Sequence, residues 1–359
     1  MASNRPGPNL SRIAASLGVS VATVSNALSG KGRVSAELGE RIRATASALG
    51  YVPSQAGRAL RTGRSGVLGL VLPDISNPLF PQIAQAMEYA ASIAGYGVLI
   101  ADSRGDVARQ TEAINRLLER GVDGMIIVPR RGTRIADIGC PVAVVDTPST
   151  PGNTVSADHW QGGRQIAKYL HDLGHRDFLL LGNNPASNVQ NDRIGGIKSA
   201  LDGSSRVEVL WIEKIEERDG AGCPLGLADK ARDGFTAFAA VSDLPALRAL
   251  TELQRAGVSV PGCVSVTGFD DLIWSPVVTP ALTTMRMDMA TIAEIAIAAL
   301  VEAIEKRAPG ETSEDELLSG IRRIVTATVS RVPMQLIVRQ SSGPAKPGKT
   351  DPSDGELPK

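Results

Sequence analysis

Residues 1–52 predict an all-α helix-turn-helix headpiece, and residues 66–340 predict an α/β core of two lobes, with parallel sheets covered by helices on both faces. Three observations carry that reading. Apolar residues recur at helical spacing through the first fifty positions. From Gly66 onward, continuous apolar strands alternate with helices, the pattern of a parallel sheet buried on both sides, over a length that exceeds one doubly wound unit. Charge divides at the same place: residues 1–65 hold nine Lys or Arg against two acids, a net +7, while the remaining 29 basic residues face 36 acids, a net −7. A basic head on an acidic body suits a polyanion partner for the head alone.

In the headpiece, Leu10, Ile13, Ala14 and Leu17 form one helical stripe. Gly18 supplies the positive φ that ends this helix, and Ser20 caps a second helix over Val21–Leu28. Thr23, Ser25 and Asn26 give the second helix small polar side chains suited to phosphates and base edges. These residues alone read equally as a DNA-docking helix pair or an ordinary helical hairpin. Ser35 caps a third helix that Gly50 stops. Residues 53–65 read as a basic linker or as a short hinge helix that folds only on its target. Gly57 weakens that helix by roughly 1 kcal/mol relative to Ala, and so short a helix is mostly unfolded in isolation.

In the core, strands are expected at 67–73, 97–102, 124–129, 142–147, 178–182, 207–212, 235–242, 264–270, 324–329 and 334–338. Helices separate most of them, with a doubtful one at 221–231 damaged by Gly222, Pro224 and Gly226. Ligands of such folds bind at the carboxyl ends of strands. Those ends carry Asp74, Asp102, Asp146, Asn183-Asn184, Ser242-Asp243 and Asp270-Asp271. Each alone reads as loop polarity or helix capping; their repetition suggests a cleft. Residues 341–359 are Pro, Gly and charge without an apolar face and predict a disordered tail with no leucine heptad.

The three cysteines form neither a metal pattern nor a disulfide framework, and no apolar leader or membrane-length run is present, so a reducing cytoplasm is expected. No phosphate-loop, dinucleotide or nucleophile-elbow motif occurs, so no enzyme activity is expected. His171 and His175 have metal-ligand spacing, but Gly174 interrupts the helix between them. Trp160, Trp211, Trp274 and Phe269 suit ligand stacking or, more simply, core packing.

Taken in order, IAASLGVSVATVSNALSG, VSAELGERIRATASALGYVPSQAGRALRTGRSG, GLVLPDISNPLFPQI, RGVDGMIIVP, LGHRDFLLLG, GFDDLIWSPVVTPALTTMRMD and QLIVRQSS resemble the lactose-repressor family of bacterial transcriptional regulators. The resemblance implies a core like that of periplasmic sugar-binding proteins, no cofactor, and a homodimer on a pseudo-palindromic operator of double-stranded DNA. It implies control by a small-molecule effector, a sugar or sugar derivative, in a cytoplasmic, nucleoid-associated repressor. By alignment, Val21, Ala22 and Asn26 fall on the base-reading face and Ser20, Thr23 and Ser25 at phosphates. Leu60 matches a minor-groove wedge, and Arg33, Ser54, Arg58 and Arg61 complete the DNA-facing set. The effector set is Asp74, Phe80, Asp146, Arg193, Ser242 and Asp270, with Arg193 read as a ligand contact or an interlobe salt bridge. Three departures stand out. Val21 and Ala22 can touch thymine methyls but make no bidentate base contact; Ser242 stands where many relatives carry Asn; and Gly57 and Pro224 loosen the hinge and one lobe edge. A solute-binding protein for transport, or an activator, shares the same core; the basic head and missing leader oppose transport.

Overall fold

A computed structural model describes residues 9–29, 34–51, 63–307 and 330–345. The chain divides into two compact units between Ser65 and Gly66. In the first, α1 (Leu10–Leu17), α2 (Val21–Ser29) and α3 (Ala36–Ala48) enclose a small core. Ile13, Ala14, Val24, Ala27, Ile42 and Ala46 are buried, with Leu10, Leu17, Val19 and Tyr51 closing over them. Local chemistry sets the helix ends. Asn9 Oδ1 accepts the Arg12 N–H at 2.9 Å, Gly18 takes φ 66°, Ser20 Oγ accepts the Thr23 N–H at 3.0 Å, and Ser35 Oγ accepts that of Leu38.

The second unit has two lobes. Lobe 1 contains β1 (Val67–Leu72), α4 (Leu79–Ile93), β2 (Gly97–Asp102), α5 (Val107–Glu119), β3 (Gly124–Ile127), β4 (Val142–Val145) and β5 (Asn153–Ala157). Lobe 2 follows with α6 (His159–Asp172), β6 (Asp177–Gly182), α7 (Asn188–Ala200), β7 (Arg206–Trp211), α8 (Ile212–Asp219), α9 (Leu227–Arg232), β8 (Ala237–Ala240), α10 (Asp243–Arg255) and β9 (Ser265–Thr267). The chain then runs through β10 (Thr284–Met287), returns to lobe 1 in α11 (Met289–Lys306) and β11 (Ser330–Val332), and goes back to lobe 2 in β12 (Met334–Ile337). Lobe 1 is a six-stranded parallel sheet in the order β11-β5-β4-β3-β1-β2; lobe 2 is a four-stranded parallel sheet in the order β7-β6-β8-β9; β10 and β12 pair antiparallel.

Strand alternation distributes the core. Leu68, Leu70 and Leu72 of β1 face α4 and α11, where Met87, Ala91, Ala293, Ile297 and Leu300 are buried. Val71 faces Ala113, Ile114 and Leu117 of α5. In lobe 2, Phe178 and Leu180 face Ile194 and Ile197 of α7, while Leu179 and Leu181 face Ala246, Ala249, Leu250 and Leu253 of α10. The chain passes between the lobes at Asp158, Asp288 and Pro333. Asp158 and Asp288 each cap the helix that follows, and the Asp158 N–H donates to Val332 O at 2.8 Å, tying two passages together.

Glycine brings α6 and α7 into backbone contact. A Cβ on Gly163 would lie 2.3 Å from Arg193 O, and one on Gly196 would lie 2.1 Å from Trp160 O. Neither neighbour is a side chain that can swing away. Gly163→Ala is therefore expected to lower stability by about 1–3 kcal/mol, read as a lower denaturation midpoint of the core; an unchanged midpoint would show that the helices part freely.

Several expectations need correction. Strands β5, β10 and β11 and helix α8 were not anticipated. The doubtful helix at 221–231 forms only as Leu227–Arg232, after Gly226 at φ 73°. Residues 341–345, assigned by composition to a disordered tail, are anchored in lobe 2. Ser341 is fully buried, its Oγ donates to Val266 O at 2.6 Å, and Ser342 Oγ bonds Thr283 and Tyr169 hydroxyls. Hydroxyl and backbone pairing orders this segment without an apolar face. The strand expected at 324–329, the hinge helix, and residues 346–359 lie outside the described residues.

Candidate functional site

On the headpiece, α2 presents Val21, Ala22 and Asn26 to solvent, with Ser20 exposed at its start; Thr23 and Ser25 are half-buried. Val21 remains 44% exposed although apolar. The Thr23 hydroxyl bonds Ser20 Oγ at 2.8 Å, so both side chains serve the helix start. Arg33, Ser54, Arg58, Leu60 and Arg61 lie outside the described residues.

In the core, a cavity of about 280 Å³ opens between the lobes at the carboxyl ends of their strands. All six expected residues line it: Asp74, Phe80 and Asp146 from lobe 1, and Arg193, Ser242 and Asp270 from lobe 2. Helix α4 brings Phe80, the ends of β1 and β4 bring Asp74 and Asp146, and the turn after β9 brings Asp270 at φ 108°.

Arg193 sits at the centre of the lobe 2 wall and is only 2% exposed. Its Nη2 lies 2.9 Å from Asp270 Oδ1, Nη1 donates to Val241 O at 2.7 Å, and Nε donates to His159 Nδ1 at 3.3 Å. The Phe269 ring lies 4.7 Å beneath the guanidinium carbon. Both charges of the ion pair belong to lobe 2, so the pair does not bridge the lobes. Asp270 Oδ1 is in ion-pair contact yet receives no well-directed hydrogen bond. Burial raises the Asp270 pKa, and Arg193 pulls it back. Burial and the same cation push His159 well below its ordinary value. His159 is thus neutral, and because Nδ1 accepts from Arg193 its proton sits on Nε2.

Asp243 positions this wall from behind. Its carboxylate accepts from Leu272 N at 2.8 Å, Ser275 Oγ at 2.6 Å and Thr284 Oγ1 at 2.6 Å. Burial, with Asp270 adding, pushes it up to about 7. Ser242, at the N-cap of α10, makes no capping hydrogen bond, so its hydroxyl does not serve the helix it precedes.

Asp146 accepts from the Thr150 hydroxyl, and Asn188 Nδ2 on α7 donates to Thr150 Oγ1 at 3.3 Å, a link between lobes. Burial pushes Asp146 up to about 6 despite these bonds. A carboxyl raised in the folded state binds more protons there than in the unfolded chain, so its contribution to stability is lost as pH rises from about 4 to about 6. Asp146→Asn is expected to flatten that part of the stability profile, checked by denaturation at pH 4.5 and pH 7. An equally steep variant would assign the slope to other carboxyls.

Sequence reasoning missed His159, Gln190 and Arg130, all of which line the cavity. Gln190 Oε1 accepts the N–H groups of Asn183 at 2.7 Å and Asn184 at 3.2 Å, which fixes the loop after β6. Asn183-Asn184 was visible as a strand end; His159 follows an unrecognised strand. None of the three tryptophans lines the cavity, and Trp160 and Trp274 are each 44% exposed rather than packed inside. Phe269 is buried against Arg193. His175 is occupied by Thr236, Ser265 and Gly343, whereas His171 leans toward Asp202. Among the described residues no group of three or more His, Cys, Asp or Glu could hold a metal. No described helix is long and apolar enough to cross a membrane.

A helix-turn-helix head on a two-lobed α/β body defines the class of DNA-binding transcriptional regulators. Residues 9–54 match the model for bacterial regulatory proteins of the lacI family, and residues 167–342 match a periplasmic binding protein-like domain. The HTH-type transcriptional regulator reg1 of Streptomyces lividans is 32% identical over 314 residues, 82% of this chain and 90% of the relative. The ribose operon repressor of Bacillus subtilis is 29% identical over 308 residues, 84% of this chain and 93% of the relative. In fold, the lac repressor dimer bound to operator and the anti-inducer ONPF superposes with a TM-score of 0.72 at 22% identity, covering 94% of this chain and 99% of that one. The chain belongs to the lacI family of bacterial regulatory proteins.

Proposed function

We propose that the protein is a repressor whose affinity for a pseudo-palindromic operator is set by a sugar or sugar derivative held in the interlobe cavity. The observation that carries this is the convergence of Asp74, Phe80 and Asp146 with Arg193, Ser242 and Asp270 on one cavity with walls from both lobes. A ligand touching both walls favours one lobe geometry over another, and only such differential affinity can shift an equilibrium. The polar groups match hydroxyls, while Phe80, Ile83 and Met87 offer apolar contact to a ring face. The ribose operon repressor among its relatives supports the sugar assignment.

The protein acts as a homodimer in the cytoplasm, with Val21, Ala22 and Asn26 at base edges, Ser20, Thr23 and Ser25 near phosphates, and Leu60 in the minor groove. Arg33, Ser54, Arg58 and Arg61 add backbone contacts. An apolar face supports dimerisation: Tyr89 and Ile93 of α4 and Ile100 of β2 are 67%, 72% and 53% exposed. The test is a thermal-shift screen of mono- and disaccharides on the full chain, followed by operator binding with each compound that raises the melting temperature. A binder is expected to change operator affinity by roughly 5–150-fold; a binder that leaves it unchanged would overturn effector control. Leu60→Ala is expected to weaken specific operator binding while leaving compound binding intact, and equal operator affinity would remove the wedge.

A further inference from the structure

The charges lining the cavity are not equally matched. Asp270 faces Arg193, Asp146 accepts from Thr150, and Asp74 Oδ1 accepts from Ser76 N at 2.9 Å and Ser76 Oγ at 2.7 Å. Arg130 and Arg131, on the loop after β3, also line the cavity. Neither guanidinium enters an ion pair with a carboxylate among the described residues; the neighbouring Arg134 does, with Asp137. Arg130 is half-buried and Arg131 exposed. The Arg130 guanidinium lies beside Gly105, where a Cβ would stand 3.7 Å from Nη1.

The loop that carries them is held from inside. Gln110 of α5 is fully buried. Its Oε1 accepts the Arg130 N–H at 2.9 Å and the Thr133 hydroxyl at 2.5 Å, and its Nε2 donates to Val128 O at 3.0 Å. A buried amide with these three bonds fixes the backbone from which both cations project. Helices α4, α7 and α10 also begin at this cavity, with Leu79, Asn188 and Ser242 in its lining, and their N-terminal ends add positive potential to it. A neutral polyol leaves two guanidiniums unpaired at the ligand; an anion pairs them, and paired forks are the strong form of such recognition.

We propose that the effector carries an anionic group, a phosphate ester or a carboxylate, which Arg130 and Arg131 hold at the lobe 1 side of the cavity. This rests on the reading of the cavity as the effector site. The remainder of the ligand lies toward Asp146, Gln190 and Arg193.

The experiment uses the full chain and matched probes: ribose with ribose 5-phosphate, glucose with glucose 6-phosphate and gluconate, and inorganic phosphate. Binding is measured by thermal shift and calorimetry on the wild type and on the Arg130→Gln/Arg131→Gln double variant, whose unliganded melting temperature checks the fold. An anionic sugar is expected to bind at least about tenfold tighter than its neutral parent, and the double variant is expected to lose that advantage. The phosphate and gluconate arms separate the two anions. Binding by neutral parents with no anionic advantage, or a preference that survives in the double variant, overturns the proposal and leaves the cavity an effector site. Binding of inorganic phosphate alone, unchanged in the double variant, places anion recognition elsewhere and also overturns it. No binding by any probe counts against the effector reading itself, and the proposal falls with it.

Discussion

Arg193→Ala is expected to lower the stability of the core by about 3–5 kcal/mol and to abolish compound binding. The two losses have different origins. Removing the guanidinium leaves Asp270, 4% exposed, without its cation, and leaves the Val241 carbonyl and His159 Nδ1 without their donor. Ligand binding is lost because the same fork lines the cavity. A second substitution separates them. Asp270→Asn in the Arg193→Ala background removes the stranded charge, so denaturant unfolding is expected to recover part of the lost stability while calorimetry still finds no binding. pH gives a further check. Without Arg193 the buried carboxyl is held even further above its unfolded value, so the variant loses stability as pH rises beyond the ordinary carboxylate range. A single variant as stable as wild type at neutral pH would mean that the ion pair carries little of the wall.

Ile42→Ala is expected to remove operator binding and leave the core untouched. Among the described residues, the buried apolar residues of the headpiece core are Ile13, Ala14, Val24, Ala27, Ile42 and Ala46, and Ile42 is fully buried. Such a truncation costs about 2–5 kcal/mol, a large share of what so small a unit can hold. The expected result is a full-length protein that melts in its core transition like wild type, binds its compound, and shows no specific retardation of operator DNA. Operator binding at wild-type affinity would show that DNA contact alone holds the three helices together.

The headpiece was legible because its signals are local. Gly18, Ser20 and Ser35 mark helix ends through backbone conformation and capping, and the apolar stripe needs no distant partner. The cavity was legible for a similar reason: carboxyl ends of parallel strands are visible wherever apolar runs stop. What escaped depends on neighbours. Strand β5, Asn153–Ala157, buries Asn153 and Ser156 because β4 and β11 flank it, and its sequence has no continuous apolar run. His159 was hidden with it. Helix α8, IEKIEERD, follows β7 directly, so its first residue reads as the end of the strand. Arg193 was found through family resemblance, while its partnership with His159 depends on Gly163 and Gly196, which let two successive helices come into backbone contact. Residues 341–345 show the limit of composition, since hydroxyls and backbone groups order them.

The order in which the ribosome delivers these parts has a consequence. Among the described residues, the buried core of the headpiece has been synthesised by Ala46, long before any of lobe 2 exists. Lobe 1 starts early too, with β1 at Val67, yet it stays unfinished until the end: α11 covers one face of its sheet and β11, Ser330–Val332, completes its edge. For most of translation the nascent chain therefore offers a completed head followed by a sheet lacking a covering helix and a terminal strand. That growing sheet is the part most in need of a chaperone. It also means that a transcript cut short before α11 can yield a product whose DNA-binding head is whole but whose ligand-sensing body is not.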